Sequence, residues 1–282
     1  GSYEAFRTTF AEYRPIKVAG GRTVQVVDSY KHLEMLKGYI DEICSRVTKD
    51  DVLNLPPKLF SVRTFDMTPE QMRVYRELEN EFITYIGDHG EHEVAEEMVL
   101  TRLLRLQQIS CGYLPNDDDD TVIPIGKTNP RLNTLLEMCK EVPHSAIIWS
   151  RFRPSINAIC RELGDQCVRY DGAVSEKGRG IAIDRFQSGE VKFFVANAKA
   201  AGVGLTLHRA RTVIYESSDY ELGKRLQSED RAHRIGQEHP VNYIDMCAVG
   251  SQDERIAIRL KNKLEVASQL TGDRKRSWLG DL

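Results

Sequence analysis

The stretch QSEDRAHRIGQ, residues 227–237, places two arginines where they could act on a phosphate. Arg231 and Arg234 are three residues apart, so on a helix they would share one face, with Gln227 one turn before them. Gly236 is expected to end that helix and thereby fix the direction of Arg234. A guanidinium is a planar, permanently charged fork, which phosphoryl-transfer enzymes use as an arginine finger. The stretch therefore predicts contact with nucleotide phosphates, and a pair of solvated surface arginines is the alternative.

A second stretch suggests a phosphate cradle but does not fit one. Residues 126–128 read Gly-Lys-Thr, the end of a P-loop of pattern G-x-x-x-x-G-K-[ST], but Thr121 stands at the first glycine position. Pro124 lies inside the loop and has no N–H to donate, and no other G-K-[ST] occurs in the sequence. We interpret the segment as a turn before a helix, with Asn129 as the cap and Pro130 in the first turn.

The elements that must position these residues follow from the apolar pattern. Five apolar runs of strand length alternate with helical patterns, at residues 145–150, 167–172, 191–197, 212–217 and 241–249. Near-continuous apolar strands between helices predict an α/β fold, with a parallel sheet covered by helices on both faces. The preceding region is predicted to be mostly α-helical, with helices in 1–55, from the Thr68–Gln71 capping box, and in 94–110, and with a short strand at 60–67.

Small, polar and basic residues follow four of the apolar runs, at the strand ends where open parallel sheets bind ligands. These ends carry Ser150-Arg151, Asp171-Gly172, the segment 198–206 with Lys199, Gly202, Gly204 and Thr206, and Ser217–Tyr220. Small residues allow close approach, and hydroxyl groups, backbone N–H groups and cations bind phosphates. The edge is therefore predicted to contact a sugar-phosphate backbone, although glycines also serve plain turns.

Taken together, the motifs resemble those of the Swi/Snf-like ATPases, the double-stranded-DNA translocase branch of the superfamily-two helicases. QSEDRAHRIGQ is similar to the last helicase motif of that family, Q-A-x-D-R-x-H-R-I-G-Q. Residues 146–152, 169–190 and 197–216 resemble three further family motifs in the family order. Upstream, residues 45–78 resemble its R-T-K…L-P-P-K…T-P-E-Q stretch and 103–114 its L-R-Q-I-C segment. The resemblance covers residues 28 to 270.

The resemblance implies a RecA-like second motor lobe, because the P-loop and the metal-binding acidic motif belong to a first lobe that this sequence does not contain. It implies 1–55 as the helical tail of the first lobe, 56–127 as a helical linker or protrusion, and 128–282 as the second lobe. ATP and Mg²⁺ would be bound mainly by the first lobe, which is itself an expected partner. The chain alone is expected not to hydrolyse ATP.

Site residues follow from the resemblance by motif position. Arg234 and Arg231 would be catalytic, with Gln227 positioning them, and Gly202 and Gly204 would also contact the nucleotide. Duplex DNA would be bound by Ser150, Arg151, Asp171, Gly172, Lys199, Gly202 and Thr206.

The sequence departs from the family at three positions: Lys199 replaces an arginine, Ala201 a glycine, and Tyr220 a tryptophan. We interpret these departures as favouring a small bacterial or phage-like member, or a fork-remodelling branch, over a chromatin remodeller. The expected location is cytoplasmic in a bacterium and nuclear in a eukaryote.

Composition restricts the classes that remain. The net charge of −3 over 282 residues means that any DNA contact must be local, and six scattered cysteines without C-x-x-C favour a reducing compartment. No apolar run is long enough for a membrane span, and His89 and His92 lack the further ligands of a metal site. Two alternatives stay open: a strand-separating helicase lobe, and a non-catalytic protein-binding module that kept the fold.

Overall fold

The computed structural model describes residues 2–18, 22–45, 47–89, 96–116, 121–200 and 204–271. Its N-terminal elements are α1 (Tyr3–Phe10), β1 (Ala11–Val18), β2 (Arg22–Tyr30), α2 (Leu33–Ile43), the single turn α3 (Lys49–Val52) and β3 (Lys58–Phe65). Strands β1 and β2 form an antiparallel hairpin, from the pair Ala11 and Tyr30 to the pair Val18 and Arg22. The expectation that residues 1–55 are helical is therefore wrong for 11–18 and 22–30. The sequence does carry a hairpin signal there, because β-branched residues flank Gly20-Gly21.

Two long helices and a small hairpin come next: α4 (Pro69–His89), α5 (Glu96–Ser110), β4 (Tyr113–Pro115) and β5 (Val122–Pro124). Thr68 and Gln71 cap α4 reciprocally, because each backbone N–H donates to the side-chain oxygen of the other residue, at 3.0 and 3.1 Å. The predicted capping box is thus confirmed. Gln71 also donates to the carbonyl of Ile109 at 3.3 Å, which ties α4 to α5.

The remaining elements alternate as predicted. They are α6 (Pro130–Glu141), β6 (Ala146–Trp149), α7 (Arg153–Leu163), β7 (Cys167–Tyr170), α8 (Glu176–Ser188), β8 (Phe193–Ala196), β9 (Thr212–Tyr215), α9 (Leu222–Glu229), β10 (Val241–Ala248) and α10 (Gln252–Thr271). All five apolar runs become strands. Asn129 caps α6 by accepting from the N–H of Leu132 at 3.1 Å, so the Gly-Lys-Thr stretch precedes a helix as interpreted.

Six strands form one parallel sheet in the order β3-β10-β9-β6-β8-β7. Strands β6 and β8 are buried along their whole length, because apolar side chains on both of their faces meet helices. The predicted fold class is confirmed: a RecA-like α/β sheet preceded by a mostly helical region. Since β3 pairs with β10, the linker region 56–127 contributes an edge strand, and the boundary drawn at residue 128 does not coincide with the edge of the sheet.

A buried arginine joins the helical region to the sheet. Arg131 on α6 is 1% exposed and donates to Asp253 at the start of α10, to the carbonyl of Glu216 after β9, and to both oxygens of Ser110 at the end of α5. Asp253 therefore serves in an internal ion pair.

Candidate functional site

The carboxyl ends of β6, β8 and β9 meet at one edge of the sheet and enclose a cleft. Trp149 at the end of β6 is level with Ala196 of β8 and Tyr215 of β9, so the loops that follow these strands are neighbours. The cleft is open to solvent, and its volume including that open part is about 450 Å³. We call it the basic cleft, and its lining includes Ser150, Arg151, Asn197, Lys199, Ser217, Ser218, Asp219, Glu221 and Lys224.

Arg151 is fixed in this cleft from two directions. Its backbone N–H donates to the hydroxyl of Ser217 at 2.9 Å, and its Nη1 donates to Oε1 of Gln107 at 2.6 Å. Gln107 lies on α5, is 1% exposed, and also donates to the carbonyl of Ser218 at 2.7 Å. The helical region therefore determines where the guanidinium of Arg151 lies.

Asn197 joins the loop after β8 to the loop after β6. Its side-chain amide donates to the carbonyl of Arg151 at 2.7 Å, and its Oδ1 accepts from the N–H of Lys199 at 2.8 Å. The predicted DNA contacts Arg151 and Lys199 are thus brought to one place. Sequence reasoning missed the roles of Gln107 and Asn197, although each lies inside a stretch that resembled a family motif.

Two other predicted DNA contacts, Ser150 and Asp171, have buried side chains. Ser150 is 1% exposed, and its hydroxyl donates to the carbonyl of Phe152 at 3.4 Å, so the side chain shapes the turn. Asp171 is also buried, where its carboxylate accepts from Arg169 and from the N–H of Ala173. Burial alone would raise the pKa of Asp171, but these hydrogen bonds outweigh it and hold the pKa below its usual value.

The remaining predicted site residues differ in how exposed they are. Gly172 is exposed beside Asp171, and Thr206 is half-buried. Gly204 is exposed, with a φ of 102° that favours glycine. Gly202, expected to contact both nucleotide and DNA, lies outside the described residues. A phosphate contact from the 171–172 turn would have to come from its backbone.

The two arginines of the last motif lie on a turn, not on a helix face. Helix α9 ends at Glu229, and residues 230–236 continue as tight turns up to Gly236, whose φ is 95°. The expectation of a shared helix face is therefore wrong, because contacts from outside the motif stop the helix early. We call residues 230–237 the arginine turn. Gln227 is exposed on α9.

The arginine turn is held against the chain that follows β8. The N–H of Leu207 donates to the carbonyl of Arg231 at 2.9 Å, and Nη1 of Arg234 reaches the carbonyl of Leu205 at 3.4 Å. Gln237 is buried, and its amide donates to the carbonyls of His208, Ala210 and Ala232. The motif with the arginines and the motif around Gly204 therefore form one packed unit.

Electrostatics within the arginine turn favour an anion. Partial burial and the nearby positive charge of Arg234 hold the pKa of Arg231 below its usual value. Both side chains are half-buried, so the repulsion between them is only partly screened by water. A phosphate placed between the two guanidinium groups would relieve it.

A second segment, residues 49–58, forms ion pairs and hydrogen bonds with the arginine turn, and we call it the clamp segment. Lys49 lies 2.8 Å from Asp230 and donates to the carbonyl of His233 at 3.2 Å. Lys58 lies 3.0 Å from Glu229 and 3.4 Å from Asp230. His233 Nε2 is 2.7 Å from the carbonyl of Pro56. These contacts join residues 171 to 184 positions apart, and no local pattern indicates them.

Two findings limit other kinds of site. Across the described ranges, no group of three or more His, Cys, Asp and Glu side chains converges in a way that could hold a metal ion. No helix within the same ranges has the length and apolar character to cross a membrane.

The six-stranded parallel sheet with its surrounding helices has the RecA-like α/β arrangement. Residues 129–236 match the helicase conserved C-terminal domain. The chromodomain-helicase-DNA-binding protein 1-like of Danio rerio is 31% identical over 272 residues, which is 90% of this chain and 26% of that protein. An uncharacterized ATP-dependent helicase of Mycoplasma genitalium, MG018, is 27% identical over 229 residues, 79% of this chain and 22% of that protein.

A solved structure agrees in fold. The C-terminal part of the Fun30 ATPase domain superposes with a TM-score of 0.61 at 15% identity, covering 78% of this chain and all of that one. The resemblance to the Swi/Snf-like ATPases is confirmed: the chain contains a helicase conserved C-terminal domain, and the proteins that it resembles include ATP-dependent helicases and a chromodomain helicase. It spans less than a third of the length of either relative.

Proposed function

We propose that this chain is the second motor lobe of an ATP-dependent double-stranded-DNA translocase or remodeller. The observation that carries the proposal is the arginine turn, where Arg231 and Arg234 lie close together on a turn fixed by hydrogen bonds. Relatives whose names describe ATP-dependent helicases and DNA-binding helicases support the same assignment. Duplex DNA and a first RecA-like lobe are the proposed partners.

The arginines fit the phosphates of ATP, because a planar guanidinium fork pairs with phosphate oxygens. In this proposal Arg234 reaches the γ-phosphate when the first lobe closes on the second, and Arg231 helps to hold it. Gly202 and Gly204 are proposed to allow the backbone to approach the nucleotide. Mg²⁺ is proposed to be bound mainly by the first lobe, since no group of three or more His, Cys, Asp and Glu side chains in the described part of this chain could hold a metal ion.

The basic cleft is proposed to contact the DNA backbone through Arg151 and Lys199. Phosphate contacts give affinity without sequence preference, as a motor that moves along DNA requires. Duplex DNA would then stimulate hydrolysis more than single-stranded DNA, whereas a strand-separating helicase predicts the reverse. A protein-binding module predicts no stimulation by either. The location would be cytoplasmic in a bacterium and nuclear in a eukaryote.

The test is DNA-stimulated ATP hydrolysis by the protein that joins this lobe to a first lobe. Removal of an arginine finger lowers the rate by about 10³–10⁵, so Arg234→Ala should abolish most turnover while ATP affinity changes little. Arg234→Lys should not restore activity, because a point charge cannot replace the fork. Arg161→Ala on the exposed side of α7 is the control and should leave the rate unchanged. Near-normal turnover by a folded Arg234→Ala protein would contradict the proposal.

A further inference from the structure

The basic cleft contains a carboxylate between its two predicted DNA-binding cations. Asp219 Oδ1 lies 3.9 Å from Nη2 of Arg151, and its Oδ2 lies 3.9 Å from Nζ of Lys199. One carboxylate thus faces both cations, one with each oxygen. A phosphate of the DNA backbone would have to bind the same two groups.

The turn that carries Asp219 holds this carboxylate in place. Its Oδ1 also accepts from the N–H of Tyr220 at 2.8 Å, and the carbonyl of the preceding Ser218 accepts from Gln107. Gln107 is the residue that orients Arg151, so the cation and its counter-anion are positioned by the same buried amide. The arrangement is built by the fold and does not depend on a chance meeting of surface side chains.

We propose that Asp219 is a resident counter-anion of the DNA track, which competes with backbone phosphate for Arg151 and Lys199 and thereby weakens DNA binding. A motor that moves along DNA must release each phosphate, and an internal competitor makes release easier. The other charges that line the cleft have partners of their own, since Lys224 pairs with Glu221, and buried Arg225 with Asp245 and Glu229. The inference rests on the proposed function, because it assumes that these cations contact DNA.

The opposite role for Asp219 is also chemically sound. A carboxylate could instead orient Arg151 towards a phosphate, and its removal would then weaken binding. The exposures of the groups favour competition: the Lys199 side chain is 59% exposed, whereas the side chains of Asp219 and Arg151 are 21% and 22% exposed. Lys199 is thus free to turn from the carboxylate to a phosphate in solution. The two roles predict changes in affinity of opposite sign.

The experiment measures the binding of this chain to a short duplex of mixed sequence, at two or more salt concentrations. Asp219→Asn keeps the oxygen that accepts from Tyr220 and removes the charge. It should tighten binding about three- to tenfold, because partly exposed ion pairs are weak individually. The dependence of log K on log salt should become steeper by up to about one. Thermal unfolding of the variant checks that the fold is kept.

Glu221→Gln is the matched control, since it makes the same change in net charge at the rim of the same cleft, where Glu221 pairs with Lys224. It should tighten binding by less than about twofold. In the Arg151→Gln, Lys199→Gln background, Asp219→Asn should no longer have an effect, because its partners are absent. This double-mutant cycle separates a local competition from a general change in charge.

The outcomes separate the inference from the function on which it rests. Unchanged or weaker binding by Asp219→Asn, with normal binding by the unmodified chain, would overturn the counter-anion and leave the DNA track intact. An equal gain from Glu221→Gln would also overturn it. If the unmodified chain fails to bind duplex DNA even at low salt, the proposed DNA track itself is wrong, and the counter-anion with it.

Discussion

At the residue scale, the structure gives His233 a packing role. It lies inside the stretch 227–237 that resembles the last helicase motif of the family, but its side chain is buried, and its Nε2 lies 2.7 Å from the carbonyl oxygen of Pro56. Burial lowers the pKa of His233 below its usual value, and the nearby charges of Lys58 and Lys49 lower it further against the opposing effects of the Pro56 hydrogen bond and Asp230. The neutral ring therefore fastens the arginine turn to the clamp segment.

This lowered pKa predicts how stability changes with pH. The folded state binds a proton at His233 less readily than the unfolded state, so this residue lowers stability as pH falls below the unfolded pKa of about 6.5. The loss continues until the lower folded pKa is reached. His233→Gln should flatten the decrease in unfolding free energy across this window, measured by chemical denaturation at several pH values. His144→Gln at an exposed site should leave the slope as it is. Equal slopes for all three proteins would contradict the prediction.

At the scale of elements, the strands were predictable from sequence and the arginine turn was not. Strands such as β6 and β8 are apolar on both faces because helices cover both faces. A continuous apolar run within each strand therefore indicates its burial without reference to distant residues. Helix α9 ends at Glu229 because Glu229 and Asp230 bind Lys58 and Lys49, more than 170 positions away. The spacing of residues 227–234 alone predicts a helix that continues through Arg234, because it contains no information on those distant lysines. Gln107 was missed for the same reason, since Arg151 is 44 positions away.

The clamp segment should support the arginine turn measurably. Lys58 is mostly buried between Glu229 and Asp230, and its charge, together with that of Lys49, holds the pKa of Asp230 below its usual value although burial opposes this. Lys58→Met should lower the free energy of unfolding by about 1–3 kcal/mol, less than for an unpaired buried charge because Glu229 keeps Arg225 as a partner. Arg73→Met, which breaks an exposed pair with Glu77, should cost less than about 0.5 kcal/mol. If urea titrations gave equal losses of unfolding free energy for Lys58→Met and Arg73→Met, the clamp segment would contribute no more than an exposed ion pair.

At the scale of the whole molecule, the proposed function makes this chain half of a reaction centre. It offers an arginine turn and a basic cleft, but its sequence has no P-loop to cradle the phosphates. An arginine finger acts on charge that develops in the transition state, so it contributes to catalysis after another group has bound and aligned the nucleotide.

The 282-residue chain by itself should therefore not hydrolyse ATP, with or without duplex DNA. The physical reason is that neither arginine can align a nucleophilic water or neutralise the β- and γ-phosphates without the groups of the other lobe. The measurement is phosphate release from a purified preparation, with Arg234→Ala purified identically as the control. A trace rate that is equal in both proteins comes from a contaminant and agrees with the prediction. Turnover by the unmodified chain that Arg234→Ala abolishes would place the whole reaction inside this chain, and the division of labour between two lobes would then be wrong.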